Sequence, residues 1–182
     1  MKKIYFLLFV LLISCKNDDS LNHTNKAKAL IERGKPDEAL VILEQVIKDD
    51  PKYLDAYLEI GRVYEVKKNL DVALKYYLKV QEIKPKHVHV NMYLGNLYRS
   101  WGKPDQAIAY VKKGIDLSPG EPWMRQILGN LYQQTGQLDL AIESYKKAVS
   151  MGPDDHLFII DLALAYEKNG DKTLQNINFN GE

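Results

Sequence analysis

The chain has 182 residues, of which 46% are hydrophobic and 27% are charged, as is ordinary for a globular protein. This length can bury a sizeable core within one domain. The net charge is +1, and no basic stripe appears in the sequence, so nothing calls for a nucleic-acid partner. The single cysteine excludes an internal disulfide bond.

The N-terminus has the pattern of a secretory signal. Two lysines precede an apolar run over residues 4–13, which is too short to cross a bilayer but suits a signal peptide. The segment that follows, ending Leu12-Ile13-Ser14-Cys15, resembles a bacterial lipobox. The resemblance implies cleavage before Cys15 and lipid attachment to that residue. An ordinary signal peptide with an incidental cysteine is the alternative.

We therefore predict a signal peptide over residues 1–14 and a lipidated tether over residues 15–21. The residue after Cys15 is Lys16 rather than an acid, which by analogy with bacterial lipoproteins disfavours retention in the inner membrane. We expect a lipid-anchored protein of the bacterial cell envelope, at the outer membrane. Both the periplasmic face and the cell surface remain open.

The rest of the chain repeats at a fixed spacing. Four prolines recur at one constant interval, and these are Pro51, Pro85, Pro119 and Pro153. The same interval separates a series of tyrosines, namely Tyr64, Tyr98, Tyr132 and Tyr166. It also separates the alanines Ala39, Ala73, Ala107 and Ala141. Such regular self-similarity predicts a repeat architecture.

One repeat predicts a pair of helices. Residues 92–101 carry apolar side chains at helical spacing, and Gly102 suits the left-handed position that ends a helix. Asp105 then falls at the N-cap or in the first turn of a second helix. Glycine inside a helix costs roughly 1 kcal/mol, so Gly95 indicates a close approach of the paired helix, which we place at Ala107.

The pattern resembles the tetratricopeptide repeat family, whose period is about 34 residues and whose motif is L-G-x2-Y…A-x3-aromatic…P. The matching residues are Ile60-Gly61…Tyr64…Ala73…Tyr77…Pro85, Leu94-Gly95…Tyr98…Ala107…Val111…Pro119 and Leu128-Gly129…Tyr132…Ala141…Tyr145…Pro153. The resemblance implies an all-α fold, a right-handed superhelical solenoid of helical hairpins. We expect four full repeats and a fifth partial, capping unit.

The predicted solenoid spans residues 22–168 and is followed by a polar tail over residues 169–182. Whether that tail forms a second helix of the fifth repeat is left open. In the second repeat Lys68-Asn69 replaces the turn glycine, and we expect Asn69 to adopt the left-handed conformation.

In this family the first helices of the repeats line a concave groove that holds peptides. Carried onto this chain, the resemblance implies groove residues in the second to fourth repeats. They are Glu59, Arg62, Met92, Tyr93, Asn96, Arg99, Trp123, Gln126, Asn130 and Gln133. An asparagine can donate and accept hydrogen bonds together, so Asn96 and Asn130 suit a peptide backbone. The alternative is that all these residues are solvated helix faces.

Other kinds of site find little support in the sequence. His87 and His89 are two residues apart and would not share a helix face, so we expect no metal and no cofactor. No catalytic motif occurs, and we expect no enzymatic activity. We interpret the tyrosine series as core packing rather than a base-stacking platform. The family's carboxylate-clamp positions hold Leu58, Met92 and Ile127, so a terminal-carboxylate clamp is not expected.

The sequence thus predicts a membrane-anchored scaffold or assembly factor that binds a protein or peptide partner in the envelope. Two alternatives stay open: an accessory surface lipoprotein that captures nutrient glycans, and a structural spacer without a ligand of its own. The sequence does not indicate an oligomeric state.

Overall fold

The structure, a computed structural model, describes residues 19–170. Over this range the chain forms nine α-helices and no β-strand. They are α1 (residues 19–32), α2 (Pro36–Asp49), α3 (Leu54–Val66), α4 (Leu70–Ile83), α5 (Val88–Ser100), α6 (Pro104–Leu117), α7 (Pro122–Gln134), α8 (Leu138–Met151) and α9 (His156–Lys168). The all-α fold of helical hairpins is confirmed.

The ends of the chain carry predictions that the structure does not reach. The signal peptide, Cys15 and the tail from residue 171 onward lie outside the described residues. Helix α1 already includes residues 19–21, which the sequence analysis placed in the tether. Ser20 and Thr24 are buried on this helix.

Three of the four turns inside the hairpins have a glycine in the left-handed region. The φ angles are 72° at Gly34, 71° at Gly102 and 76° at Gly136, so the prediction for Gly102 is confirmed. In the turn between α3 and α4 the left-handed residue is Lys68, with a φ of 60°. The prediction for Asn69 was wrong because Asn69 already stands one residue later, as the N-cap of α4.

Helix starts differ from the predicted ones in detail. Lys103 is the N-cap of α6 and Pro104 its first residue, so of the two predicted positions Asp105 takes the one in the first turn. An acid there still interacts favourably with the positive end of the helix dipole. Helix α5 begins at Val88 instead of residue 92, and its early residue Val90 is fully buried.

The contacts divide the chain into two compact units, which meet in sequence between His87 and Val88. In the first unit α1, α2 and α3 enclose a core that is fully buried at Ala27, Leu43 and Ile60. Helix α4 packs on α3, with Tyr77 completely buried.

The second unit contains helices α5 to α9. Its core includes Val111, Leu131 and Tyr145, each almost completely buried. Tyr132 is buried within it, and Tyr98 and Tyr166 pack against it. The tyrosine series is therefore core packing in this unit, as predicted.

The helical glycines allow close helix contact. A Cβ atom added at Gly95 would lie 2.6 Å from Cγ2 of Val111 and 3.4 Å from the Ala107 carbonyl oxygen. The paired helix does approach as predicted, but its closest atom belongs to Val111 rather than Ala107. At Gly129 an added Cβ would lie 2.5 Å from Cε1 of Tyr145, so this glycine makes room for the tyrosine ring.

Candidate peptide-binding surface

A group of polar side chains joins three helices of the second unit. The Tyr145 hydroxyl on α8 donates to Oδ1 of Asn130 on α7 at 2.6 Å and lies 3.4 Å from Oε1 of Gln133. Nε2 of Gln126 on α7 donates to Oδ2 of Asp161 on α9 at 2.6 Å. We call these five residues the Tyr145 cluster. It ties three of the predicted groove residues to two that the sequence analysis did not select.

Burial differs sharply across the Tyr145 cluster. The Tyr145 side chain is completely buried, whereas Asn130 is exposed and Gln133 is half-buried. Only the hydroxyl of the tyrosine therefore reaches the polar surface of α7. A buried polar group needs a partner, and the Asn130 oxygen supplies it, with the Gln133 oxygen farther away.

The electrostatic setting keeps the Tyr145 hydroxyl protonated. Burial raises the pKa of this phenol, and the negative charge of Asp161 raises it further. The group therefore stays a neutral hydrogen-bond donor at physiological pH. An amide whose oxygen accepts this bond turns its NH₂ group the other way. Within residues 19–170 neither Nδ2 of Asn130 nor Nε2 of Gln133 has a hydrogen-bond partner.

Trp123 lies at the start of the same helix α7 with its polar edge already bonded. Its indole Nε1 donates to Oε2 of Glu121 at 2.7 Å. The ring of His89 stacks on its face, with centroids 5.7 Å apart and planes 17° from parallel. His89 and Trp123 thus form one aromatic pair in which one indole face is covered.

The third repeat contributes predicted groove residues from α5. Met92, Tyr93 and Asn96 are half-buried and Arg99 is exposed. The residue one repeat before Tyr145 is Val111, which packs on Gly95 and has no hydroxyl to donate. Asn96 therefore lacks the tyrosine contact that Asn130 has.

In the first unit the two predicted groove residues bind each other. Nη1 of Arg62 lies 2.7 Å from Oε2 of Glu59, and Nζ of Lys28 lies 3.8 Å from the other carboxylate oxygen. The Glu59 side chain is only 4% exposed. Burial raises the pKa of Glu59, and the positive charges of Arg62 and Lys28 oppose the rise. The carboxylate of Glu59 therefore serves mainly as a buried partner of Arg62 and is not a group on the surface.

A tyrosine hydroxyl reaches the corresponding surface of the first unit. Tyr77 is completely buried and donates to Oε2 of Glu65 on α3. Tyr77 and Tyr145 are both the aromatic residue of the repeat motif. Their motif position indicates core packing, and no feature of the sequence indicates that their hydroxyls reach polar surface residues.

The sequence analysis also missed an apolar surface on α9. Leu157, Ile160 and Leu164 are 63%, 47% and 47% exposed, respectively. They lie one repeat after Trp123, Gln126 and Asn130, so extending the groove pattern by one repeat would have found them. Asp161 stands beside Ile160 in the same helix. The second unit therefore presents neutral amides and apolar side chains at repeat-equivalent positions, with the carboxylate of Asp161 next to Ile160 in the chain.

No group of three His, Cys, Asp or Glu side chains suited to hold a metal ion occurs among residues 19–170. In the same range, no helix has the length and apolar character needed to cross a membrane.

Three tetratricopeptide repeat models match the chain, over residues 24–88, 88–121 and 129–170. No curated protein matches the sequence. The role of the ten predicted groove residues in binding stays a prediction.

Several solved structures share the fold. A thermophilic TPR protein of Thermus thermophilus is 24% identical, with a TM-score of 0.76 and 88% of each chain covered. PilF of Pseudomonas aeruginosa is 16% identical, with a TM-score of 0.76, and the match covers 86% of this chain and 71% of PilF. YrrB, described as a TPR protein with an unusual peptide-binding site, is 19% identical, with a TM-score of 0.61 and coverage of 91% and 85%.

Together the three matched segments take in most of the described helices, and the repeat motif seen in the sequence recurs through them. The chain therefore belongs to the tetratricopeptide repeat proteins.

Proposed function

We propose that this protein is a non-enzymatic scaffold that binds an extended segment of a partner protein through the surface of its first helices. The observation that carries the proposal is the exposed amide of Asn130, whose oxygen is occupied by Tyr145 and whose nitrogen has no hydrogen-bond partner within residues 19–170. An amide held in this way offers two N–H donors to a ligand.

The neighbouring side chains support a protein ligand. Trp123 and Tyr93 are of residue types enriched in the energetically dominant parts of interfaces. The exposed side chains of Leu157, Ile160 and Leu164 supply apolar surface. The match to YrrB adds a structure of the same fold that is described by its peptide-binding site.

The second part of the proposal concerns location. We propose that Cys15 carries a lipid that anchors the protein to an envelope membrane, where it acts in the assembly of an envelope machine. The support is the sequence pattern of residues 1–15, which ends in the single cysteine of the chain. Several acyl chains, at ~0.8 kcal/mol per buried methylene, would make such an anchor stable.

Crosslinking in cells tests the binding role. The full-length protein is captured after mild crosslinking, beside a variant in which Tyr93, Asn96 and Asn130 are replaced by alanine. We expect one specific partner protein that the triple variant loses while its helicity and melting temperature stay nearly unchanged. A partner that both proteins retain would place binding elsewhere. An empty capture would favour the glycan or spacer alternative, and a glycan array would then separate these two.

The anchor has a separate test, because the binding role does not depend on it. The Cys15→Ser variant should move from the membrane fraction to the soluble fraction and should lose incorporation of labelled palmitate. A Cys15→Ser protein that stays with the membrane would contradict lipid attachment at this residue.

A further inference from the structure

The Tyr145 cluster holds polar groups whose orientation decides what kind of ligand can bind. Asn130 and Gln133 are each able to donate or to accept, and a free amide on a helix surface can present either end. In this structure both amide oxygens face the buried Tyr145 hydroxyl. The two NH₂ groups are consequently the ends that remain available.

We propose that the Tyr145 cluster binds backbone carbonyl groups of an internal, extended peptide segment, and that Tyr145 is the positioning residue that sets Asn130 as a donor, with the amide of Gln133 beside it. This inference rests on the proposed peptide-binding function. It adds the class of ligand group that the site accepts and a residue that would act without touching the ligand.

The direction of the hydrogen bond follows from the surroundings of the Tyr145 hydroxyl. The side chain is completely buried, so no water competes for its proton. Asp161 lies near enough for its negative charge to oppose ionisation of the phenol. The neutral hydroxyl has one proton and donates it to Oδ1 of Asn130 at 2.6 Å, while Oε1 of Gln133 lies 3.4 Å away. This bond fixes the amide of Asn130 without any contribution from the ligand.

The same carboxylate favours a carbonyl over a carboxylate ligand. Asp161 is held by the amide of Gln126 and forms no ion pair with a cation within residues 19–170. A C-terminal carboxylate placed at the amide nitrogens would meet this negative charge, whereas a backbone carbonyl is neutral. A peptide N–H or a basic side chain can in turn approach Asp161. The site therefore suits the middle of a chain rather than its end.

Peptide selection with the full-length chain tests the proposal. Random twelve-residue peptides are displayed in two ways, as a loop inside a carrier protein and at the carrier's free C-terminus. We expect enrichment from the loop library. The Kd of the selected peptides should rise about three- to tenfold in the Tyr145→Phe variant, because the hydrogen bond that orients the amide is lost. The matched control is Tyr77→Phe, which removes the equivalent hydroxyl of the first unit and should leave Kd within twofold.

A double-mutant cycle separates positioning from stability. In a protein that already carries Asn130→Ala and Gln133→Ala, Tyr145→Phe should have no further effect on Kd. An equal loss in both backgrounds would show that the hydroxyl acts on folding and would overturn the positioning role. An unchanged Kd for the single Tyr145→Phe variant would overturn it as well.

Asn130→Asp keeps the test decisive if Tyr145→Phe does not fold, because residue 130 is exposed. The substitution exchanges two N–H donors for a second acceptor and should weaken binding of the selected loops more than tenfold. Binding that is retained or tightened would show that the site accepts N–H groups instead, against the proposal. Enrichment only from the free C-terminal library would also contradict it. Failure of both libraries to enrich any peptide would instead overturn the peptide-binding function itself.

Discussion

The two units use the same tyrosine position to support surfaces of opposite character. Arg62, Glu65 and Tyr77 in the first unit stand two repeats before Asn130, Gln133 and Tyr145 in the second. In both places a buried tyrosine hydroxyl donates to a side chain of the preceding helix. The acceptor is a carboxylate in the first unit and neutral amides in the second.

The difference shows that equivalent positions need not be equivalent sites. In the first unit Arg62 is already engaged by the buried Glu59, and Glu65 is engaged by Tyr77. A ligand there would compete with existing pairs. In the second unit the tyrosine occupies the amide oxygens and leaves the amide nitrogens without a partner in the described part of the chain. We therefore expect more of the binding free energy to come from the second unit.

In both units a tyrosine ring packs on a helical glycine, Tyr77 on Gly61 and Tyr145 on Gly129. Disrupting this contact should have the largest effect. Gly129→Ala places a methyl group 2.5 Å from the Tyr145 ring, so the ring must shift within a closed core. We expect the free energy of unfolding to fall by about 2–3 kcal/mol, measured by urea denaturation.

The control for this change is Gly120→Ala. Nothing lies within 4 Å of a Cβ atom added at Gly120, and its φ is not in the left-handed region. We expect its free energy of unfolding to stay within about 0.5 kcal/mol of the wild type. Equal stabilities for the two variants would show that the Tyr145 ring is not held by the glycine contact.

Truncation of the surface residues should separate the two units by stability. Arg62→Ala leaves the buried Glu59 with Lys28 alone, at 3.8 Å, and we expect a loss of about 2 kcal/mol for a buried charge deprived of its main partner. Asn130→Ala removes a neutral partner of the buried Tyr145 hydroxyl, which keeps only the Gln133 oxygen at 3.4 Å. We expect this neutral group to lose less than the buried charge does, about 1 kcal/mol.

A second substitution identifies the cause of that difference. Glu59→Gln removes the buried charge, so the pair Glu59→Gln with Arg62→Ala should be more stable than Arg62→Ala alone. Thermal melts of the four proteins at neutral pH provide the comparison. If Arg62→Ala and Asn130→Ala were equally harmless, the contrast between a paired and an open surface would be wrong.

The periodic pattern was sufficient to predict the fold because each repeat carries the same packing residues. Gly95, Ala107 and Val111 form one contact between paired helices. Because the repeat spacing is constant, the equivalent contact recurs along the chain. Local geometry was less predictable. Lys68 takes the left-handed turn position although asparagine is the more tolerant residue, since the hairpin fixes which residue must turn.

The candidate site was predictable only in part. The family pattern selects Asn130 and Gln133 from their spacing, but it assigns Tyr145 to the core and is silent on Asp161. A side chain can be completely buried and still donate a hydrogen bond to an exposed side chain, as Tyr145 does to Asn130. The sequence spacing of two residues does not reveal such a hydrogen bond. It becomes visible only where α7, α8 and α9 cross in the structure.

The smallest expected effect is the pH dependence that Glu59 gives to the first unit. Burial raises the pKa of Glu59 in the folded protein above its unfolded value, despite Arg62 and Lys28. The folded state then binds the proton more tightly than the unfolded state. The stability that comes from the protonated carboxyl is fully present below the unfolded pKa and is lost as pH rises through the folded pKa. Relative to Glu59→Gln, the wild type should therefore lose stability as the pH rises above the unfolded pKa of about 4.5.

The loss should be about 1.4 kcal/mol for each unit by which the pKa is raised, measured as the difference between urea unfolding curves of the two proteins at each pH. The surface of the second unit supplies the matched control, because Asn130→Asp there adds an acid at an exposed position. The stability of that variant relative to wild type should not fall from pH 4 to pH 7, because the added acid is not buried. A pH-independent difference between wild type and Glu59→Gln would mean that Arg62 and Lys28 fully compensate for the burial. The buried charge of Glu59 would then not lower the stability of the first unit. The pH dependence of stability could then no longer distinguish the surface of the first unit from that of the second.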